Sequence, residues 1–158
     1  MTLLEVEDLS VAFGPPARPI KVVDQVSFSV GERETIALVG ESGSGKSVTS
    51  LAVMGLLRPP GRITSGAVKF DGRDLAVLPD REMRRIRGNR LAMIFQEPMS
   101  SLNPLMTVGA HVMEPLLLHE RLSRAEAAKR AVSLLDRVGI PSAAARMNDY
   151  PHRLSGGM

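Results

Sequence analysis

Gly40-Glu41-Ser42-Gly43-Ser44-Gly45-Lys46-Ser47 is the stretch on which the fold reading turns. It matches the phosphate-loop pattern of a glycine, four residues, then Gly-Lys-Ser in full. Its flanks fit too. Thr35–Val39 (TIALV) is a short apolar run with β-branched residues, which predicts a strand buried on both faces. Ser47 to Leu57 carries Val48, Leu51, Ala52 and Leu56 at helical spacing, and Pro59-Pro60-Gly61 is expected to end that helix. A strand, a glycine turn and a helix in this order put successive backbone N–H groups around an anion. The helix N-terminus adds unpaired donors and the positive end of its dipole. Lys46 would supply a full charge to terminal phosphates, and the Ser47 hydroxyl is a Mg²⁺ ligand candidate. Glu41 would repel phosphate if it pointed inward, so it is expected to face solvent.

Other segments extend the pattern. Leu3 to Val11 alternates apolar and polar residues as a half-buried strand does, and Phe13-Gly14-Pro15-Pro16 breaks it. Val22–Val30, Gly66–Phe70 and Leu91–Phe95 read as further strands, with a short helix at 79–88. From Val108 the character is helical. One helix is expected over 108–121, disrupted in its middle by Pro115. The next starts at Ser123, whose spacing to Glu126 is that of a capping box. It continues through an apolar stripe of Ala127, Ala128, Ala131, Leu134, Leu135 and Val138, and Gly139 suits the left-handed closing position. The expected division is a β-rich lobe over 1–97 and a helical lobe over 98–158.

Composition narrows the class. The 158 residues suffice for one domain with a core. Twenty basic against seventeen acidic residues leave +3, too little to argue for nucleic acid. The absence of cysteine excludes disulfide frameworks and thiolate metal sites within these residues. No run approaches the roughly 18 apolar residues needed to span a bilayer. The acidic start, MTLLEVEDLS, is unlike an export signal. A cytosolic protein that meets a membrane only through a partner is expected.

A phosphate loop alone leaves GTPases, kinases, helicases and transporters open. Leu154-Ser155-Gly156-Gly157 resembles the LSGGQ signature of the ABC ATPases, and Phe95-Gln96-Glu97-Pro98 resembles their Q-loop. Both follow the phosphate loop in the family's order. Phe13 matches the aromatic position that stacks on adenine. More narrowly, GESGSGKS, FQEPMSSLNP (95–104) and YPHRLSGGM (150–158) look like the ATPase subunits of dipeptide, oligopeptide and nickel importers, with Met99 to Pro104 the most telling piece. Met158 stands where the general signature has Gln, and this importer group often carries LSGGM. Read singly, Phe13 is a core or turn aromatic, Gln96 a solvated loop residue and LSGG a turn. Their joint order carries the resemblance, which covers essentially the whole chain.

The resemblance implies an α/β P-loop NTPase, an ABC-type nucleotide-binding domain, here truncated. It implies ATP and Mg²⁺ as ligands. The ATP-binding set is Phe13, Gly40, Glu41, Ser42, Gly43, Ser44, Gly45, Lys46, Ser47, Val48 and Gln96, with Ser47 and Gln96 towards Mg²⁺. Leu154, Ser155, Gly156 and Gly157 would meet the γ-phosphate held by a second ATPase subunit, identical or a paralogue. Two transmembrane permease subunits complete the assembly at the cytoplasmic face of the inner membrane, where ATP hydrolysis drives uptake of peptides or related solutes, nickel included. No nucleic acid is expected. The family's Mg²⁺-associated aspartate, catalytic glutamate and switch histidine all follow the signature, so no catalytic residue is expected before Met158 and Glu97 is not assigned as the base. A fragment that binds ATP without turning it over is expected.

The arginines at 81, 84, 85, 87 and 90 read as a solvated helix face, with no aromatics interleaved to stack on bases. His111, His119 and His152 lack metal-ligand spacing, and the nine methionines read as gap fillers. Two rivals remain: a soluble ABC ATPase acting on nucleic acid, and a non-catalytic nucleotide-binding fragment. A P-loop kinase would explain neither LSGG nor the Q-loop.

Overall fold

The computed structural model describes residues 2–97 and 101–158. Pro98, Met99 and Ser100, part of the importer-like segment, lie outside the described residues. The chain divides into two compact units, Met1–Arg87 and Gly88–Met158. The division falls ahead of the boundary expected after residue 97.

The first unit is built on a four-stranded antiparallel sheet in the order β2-β1-β3-β4. Its strands are β1 (Thr2–Phe13), β2 (Ile20–Gly31), β3 (Arg62–Phe70) and β4 (Arg73–Asp74). β1 sits in the middle, paired with both β2 and β3. Its register shifts after Val6, where Asp8 takes a positive φ of 45° and its N–H donates to the Ser27 hydroxyl at 2.8 Å. Past this bulge the simple alternation is lost: Leu9, Ser10, Val11 and Ala12 are all buried. The Ser10 hydroxyl is satisfied by the Gln25 N–H at 3.0 Å.

Helix α1 (Lys46–Val53) buries Thr49, Ala52 and Val53. It stops earlier than Pro59 suggested. Gly55 adopts φ +63°, its N–H donates to the Ala52 carbonyl at 3.0 Å, and the Leu56 N–H donates to the Leu51 carbonyl at 2.8 Å. This is a Schellman closure, so a left-handed glycine ends the helix before the prolines are reached. Helix α2 (Asp80–Ile86) carries most of the arginine run. Arg87, just beyond it, donates to the Met54 carbonyl at 2.8 Å and the Gly55 carbonyl at 2.7 Å, closing the end of α1. Hydrogen bonds from Arg87 and Arg84 hold the Asp80 carboxyl below the ordinary carboxylate range.

Two expected strands do not form. Thr35–Val39 joins no sheet, and Val39 is 88% exposed. In Leu91–Phe95 only Leu91 makes an isolated bridge, and Ile94 is 92% exposed. A strand exists by virtue of its ladder, and a run buried on both faces needs neighbours on both sides. Among the described residues neither run has such a neighbour.

The second unit is helical: α3 (Val108–His119), α4 (Arg124–Arg137) and the short α5 (Ala143–Arg146), followed by a 3₁₀ turn at Pro151–Arg153. α3 runs unbroken through Pro115, against expectation. Proline there removes one bond of the ladder, while Val108, Val112 and Leu116 keep the helix packed. Ser123 and Glu126 form the capping box. Gly139, at φ +78°, closes α4, with the Ile140 N–H donating to the Leu135 carbonyl at 3.0 Å. Val138, expected on the apolar stripe, is 74% exposed because the stripe ends one turn earlier at Leu135. A groove of about 730 Å³ lies along α3 and α4, lined by Met113, Leu117, Ala128 and Val132 with Glu114, Arg124 and Lys129 beside them. No helix among the described residues is long and apolar enough to cross a membrane.

Candidate functional site

The loop Gly40–Ser47 lies at the head of α1 in the first unit. Its shape comes from two left-handed glycines, Gly43 at φ +83° and Gly45 at φ +91°. Between them, the Ser44 N–H donates to the Glu41 carbonyl at 3.2 Å. Gly45 is the residue that admits no side chain. A Cβ there would lie 2.7 Å from the Val22 carbonyl oxygen and 3.1 Å from Val23 Cγ2. The loop is therefore seated directly on the backbone of β2. The Gly45 carbonyl accepts from the Thr49 N–H at 2.8 Å and from the buried Thr49 hydroxyl at 3.0 Å. Thr49 is a positioning residue that the motif pattern does not include.

Lys46 turns back over the loop. Its Nζ donates to the Gly40 carbonyl at 2.7 Å, the Glu41 carbonyl at 2.7 Å and Ser44 Oγ at 3.2 Å. The cation is thus held inside the ring of residues 40–46. Glu41 and Ser42 are exposed, as is Ser47, while Val48 is half-buried. No side chain caps α1 at its N-terminus. The first-turn N–H groups of Lys46, Ser47 and Val48, which have no intrahelical acceptor, therefore gain no side-chain cap either. First-turn N–H groups, a helix dipole and an ammonium gathered at one loop are groups that can hold a multiply charged anion.

Among the described residues no group of His, Asp and Glu side chains could hold a metal ion. A Mg²⁺ ion would fit here only with the Ser47 hydroxyl and oxygens that an anion and water bring, the usual mode for this ion with phosphates.

Phe13, the last residue of β1, belongs to the same unit and rests on the backbone at Gly61. Gln96 and Leu154–Gly157 belong to the second unit. Gln96 is exposed. Leu154 packs on the core of Val108, Leu135, Ile140 and Ala143, so it anchors the segment that follows. Ser155, Gly156 and Gly157 are exposed, and a Cβ on either glycine would meet no atom within 4 Å. Neither glycine has a positive φ. Nothing in the fold of this chain requires glycine at those two positions.

A family model described as ABC transporter matches residues 23–158. The dipeptide transport ATP-binding protein DppD of Escherichia coli (strain K12) is 49% identical over 158 residues, covering 100% of this chain and 48% of that protein. The oligopeptide transport ATP-binding protein AppD of Bacillus subtilis (strain 168) is 49% identical over 158 residues, covering 99% of this chain and 48% of the relative. The chain spans about half the length of the curated relatives it matches. Among solved structures, the dimeric structure of MJ0796, a bacterial ABC transporter cassette, matches with a TM-score of 0.82 at 27% identity, over 98% of this chain and 64% of that one. The dimeric post-hydrolysis state of the MJ0796 cassette bound to ADP and Pi matches with a TM-score of 0.80 at 26% identity, over the same shares. The fold of this chain is that of these α/β cassettes, and the chain belongs to the ABC transporter family.

Proposed function

We propose that this chain supplies the nucleotide-holding part of an ATP-binding subunit in an ABC importer. The observation that carries the reading is the loop 40–47, seated on β2 and closed around the Lys46 ammonium at the uncapped head of α1. In this reading Gly40 to Val48 enclose the β- and γ-phosphates of ATP. Lys46 exchanges its two carbonyl contacts for phosphate oxygens, which carry full charge and bind it more strongly. The Ser47 hydroxyl would hold Mg²⁺, which would supply positive charge against the phosphate oxygens, and Gln96 is a further candidate ligand. Phe13 packs its ring on adenine. Leu154 fixes the signature segment, and Ser155, Gly156 and Gly157 reach the γ-phosphate bound by a second ATPase subunit. The glycines that this chain's own packing does not need are explained by such an approach. The whole protein would couple ATP hydrolysis to uptake of peptides or related solutes, working under two permease subunits at the cytoplasmic face of the inner membrane. The names of the relatives support the peptide class.

A second reading is favoured by one observation. The phosphate loop's own carboxylate, Glu41, is exposed. On that reading the 158-residue chain binds ATP and does not turn it over. The two are separated by assaying ATP binding and phosphate release on the same sample. Saturable binding without turnover is the expected result. Steady hydrolysis that Lys46→Ala abolishes would instead place a general base within these residues.

A further inference from the structure

We propose that Arg62 and Gly61 are positioning residues for Phe13, holding its ring in one pose before any adenine arrives. This rests on the reading of Phe13 as the adenine-facing residue.

The geometry converges on one corner of the sheet. Phe13 ends β1, opposite Ile20 of β2. Arg62 begins β3, opposite Ala12. After Phe13 the chain leaves the sheet through Gly14, at φ +89°, into a turn closed by the Arg18 N–H on the Pro15 carbonyl at 2.9 Å. That exit carries no ladder of its own, so something else must fix it. Arg62 Nη1 donates to the Gly14 carbonyl at 2.7 Å and reaches the Pro60 carbonyl at 3.4 Å. One guanidinium nitrogen thus ties the exit of β1 to the entry of β3. A charged donor on a carbonyl is stronger than a neutral one, and this bond is partly buried.

Gly61 sets the floor. A Cβ at this position would lie 2.6 Å from Phe13 Cε1 and 2.8 Å from Cζ. The ring therefore lies directly on the glycine backbone, and any side chain there would turn it. The other part of the half-buried ring stays accessible. A ring fixed in advance stacks without first losing rotational freedom, which raises affinity at no cost in new contacts.

The test titrates ATP and, separately, inorganic tripolyphosphate against the chain and five variants, with a urea midpoint measured for each. Phe13→Ala is expected to weaken ATP about tenfold, the size of one lost base–aromatic stack, and to leave tripolyphosphate unchanged. Gly61→Ala and Arg62→Ala should each weaken ATP about three- to tenfold, again without effect on tripolyphosphate. Arg62→Lys, which keeps a charged donor, should recover most of the loss. Phe13→Ala combined with Arg62→Ala should bind ATP no more weakly than Phe13→Ala alone, because both act through the ring. Should Arg62→Ala fail to fold, Gly61→Ala and Arg62→Lys decide the matter. ATP binding unchanged in Gly61→Ala or Arg62→Ala overturns the inference, and so does an equal loss of ATP and tripolyphosphate. A parent chain in which Phe13→Ala leaves ATP affinity untouched overturns the adenine reading itself, and this inference with it.

Discussion

Replacing Gly45 by alanine puts the seating of the phosphate loop to a quantitative test. The residue holds φ +91°, which costs an L-residue about 1–2 kcal/mol. Its new Cβ would also stand 2.7 Å from the Val22 carbonyl oxygen, a backbone atom that can move only if β2 moves. Overpacking of that kind adds about 1–3 kcal/mol. The sum is roughly 2–5 kcal/mol, a large part of the stability of a small domain. Gly43 is the internal control. It has a similar φ of +83°, but a Cβ there meets nothing within 4 Å. Gly43→Ala should therefore cost only the conformational part, about 1–2 kcal/mol. Urea unfolding followed by far-UV circular dichroism reads the difference. With a slope of about 1.5 kcal/mol/M, Gly45→Ala should lower the midpoint by roughly 1–3 M. An equal or smaller shift for Gly45→Ala than for Gly43→Ala would refute the claim that the loop rests on the β2 backbone.

Arg87→Ala should destabilise the first unit by about 1–3 kcal/mol in the same assay, because the Met54 and Gly55 carbonyls lose a charged donor at the end of α1. Ser123→Ala should act on α4 in a pH-dependent way. The Ser123 hydroxyl and then its N–H hold the Glu126 carboxyl below the ordinary glutamate value of about 4.3. A depressed carboxyl contributes stability that is present above that value and lost as pH falls through the lower folded value. Urea midpoints of Ser123→Ala and its parent should thus differ at neutral pH and approach each other in acid. Gly156→Ala should leave stability within about 0.5 kcal/mol, since its Cβ enters open space, yet weaken ATP-dependent pairing of full-length subunits in analytical ultracentrifugation.

How far the sequence could be read followed the range of the interactions involved. The capping box of Ser123 with Glu126 and the closure at Gly139 span three to five residues and are legible directly. So was the phosphate loop, whose internal bonds join residues no more than six apart. Thr35–Val39 and Leu91–Phe95 do not form strands because their apolar, β-branched composition describes an environment, and among the described residues no neighbouring strand supplies it. Pro59 is the more familiar helix breaker, but Gly55 closes α1 before the chain reaches it. The bond from Arg62 to Gly14, 48 residues apart, and the contact of Phe13 with Gly61 leave no periodic trace, so the corner around Phe13 became visible only in three dimensions.

The central claim is that residues 40–47 hold the phosphates of ATP through Lys46. Equilibrium titration of ATP against the chain and its Lys46→Ala variant tests it most directly. Saturable binding is predicted for the parent. Loss of the ammonium should weaken it by at least about 30-fold, the equivalent of about 2 kcal/mol for a charged hydrogen bond. Binding of equal strength in both, or none in the parent, would contradict the account.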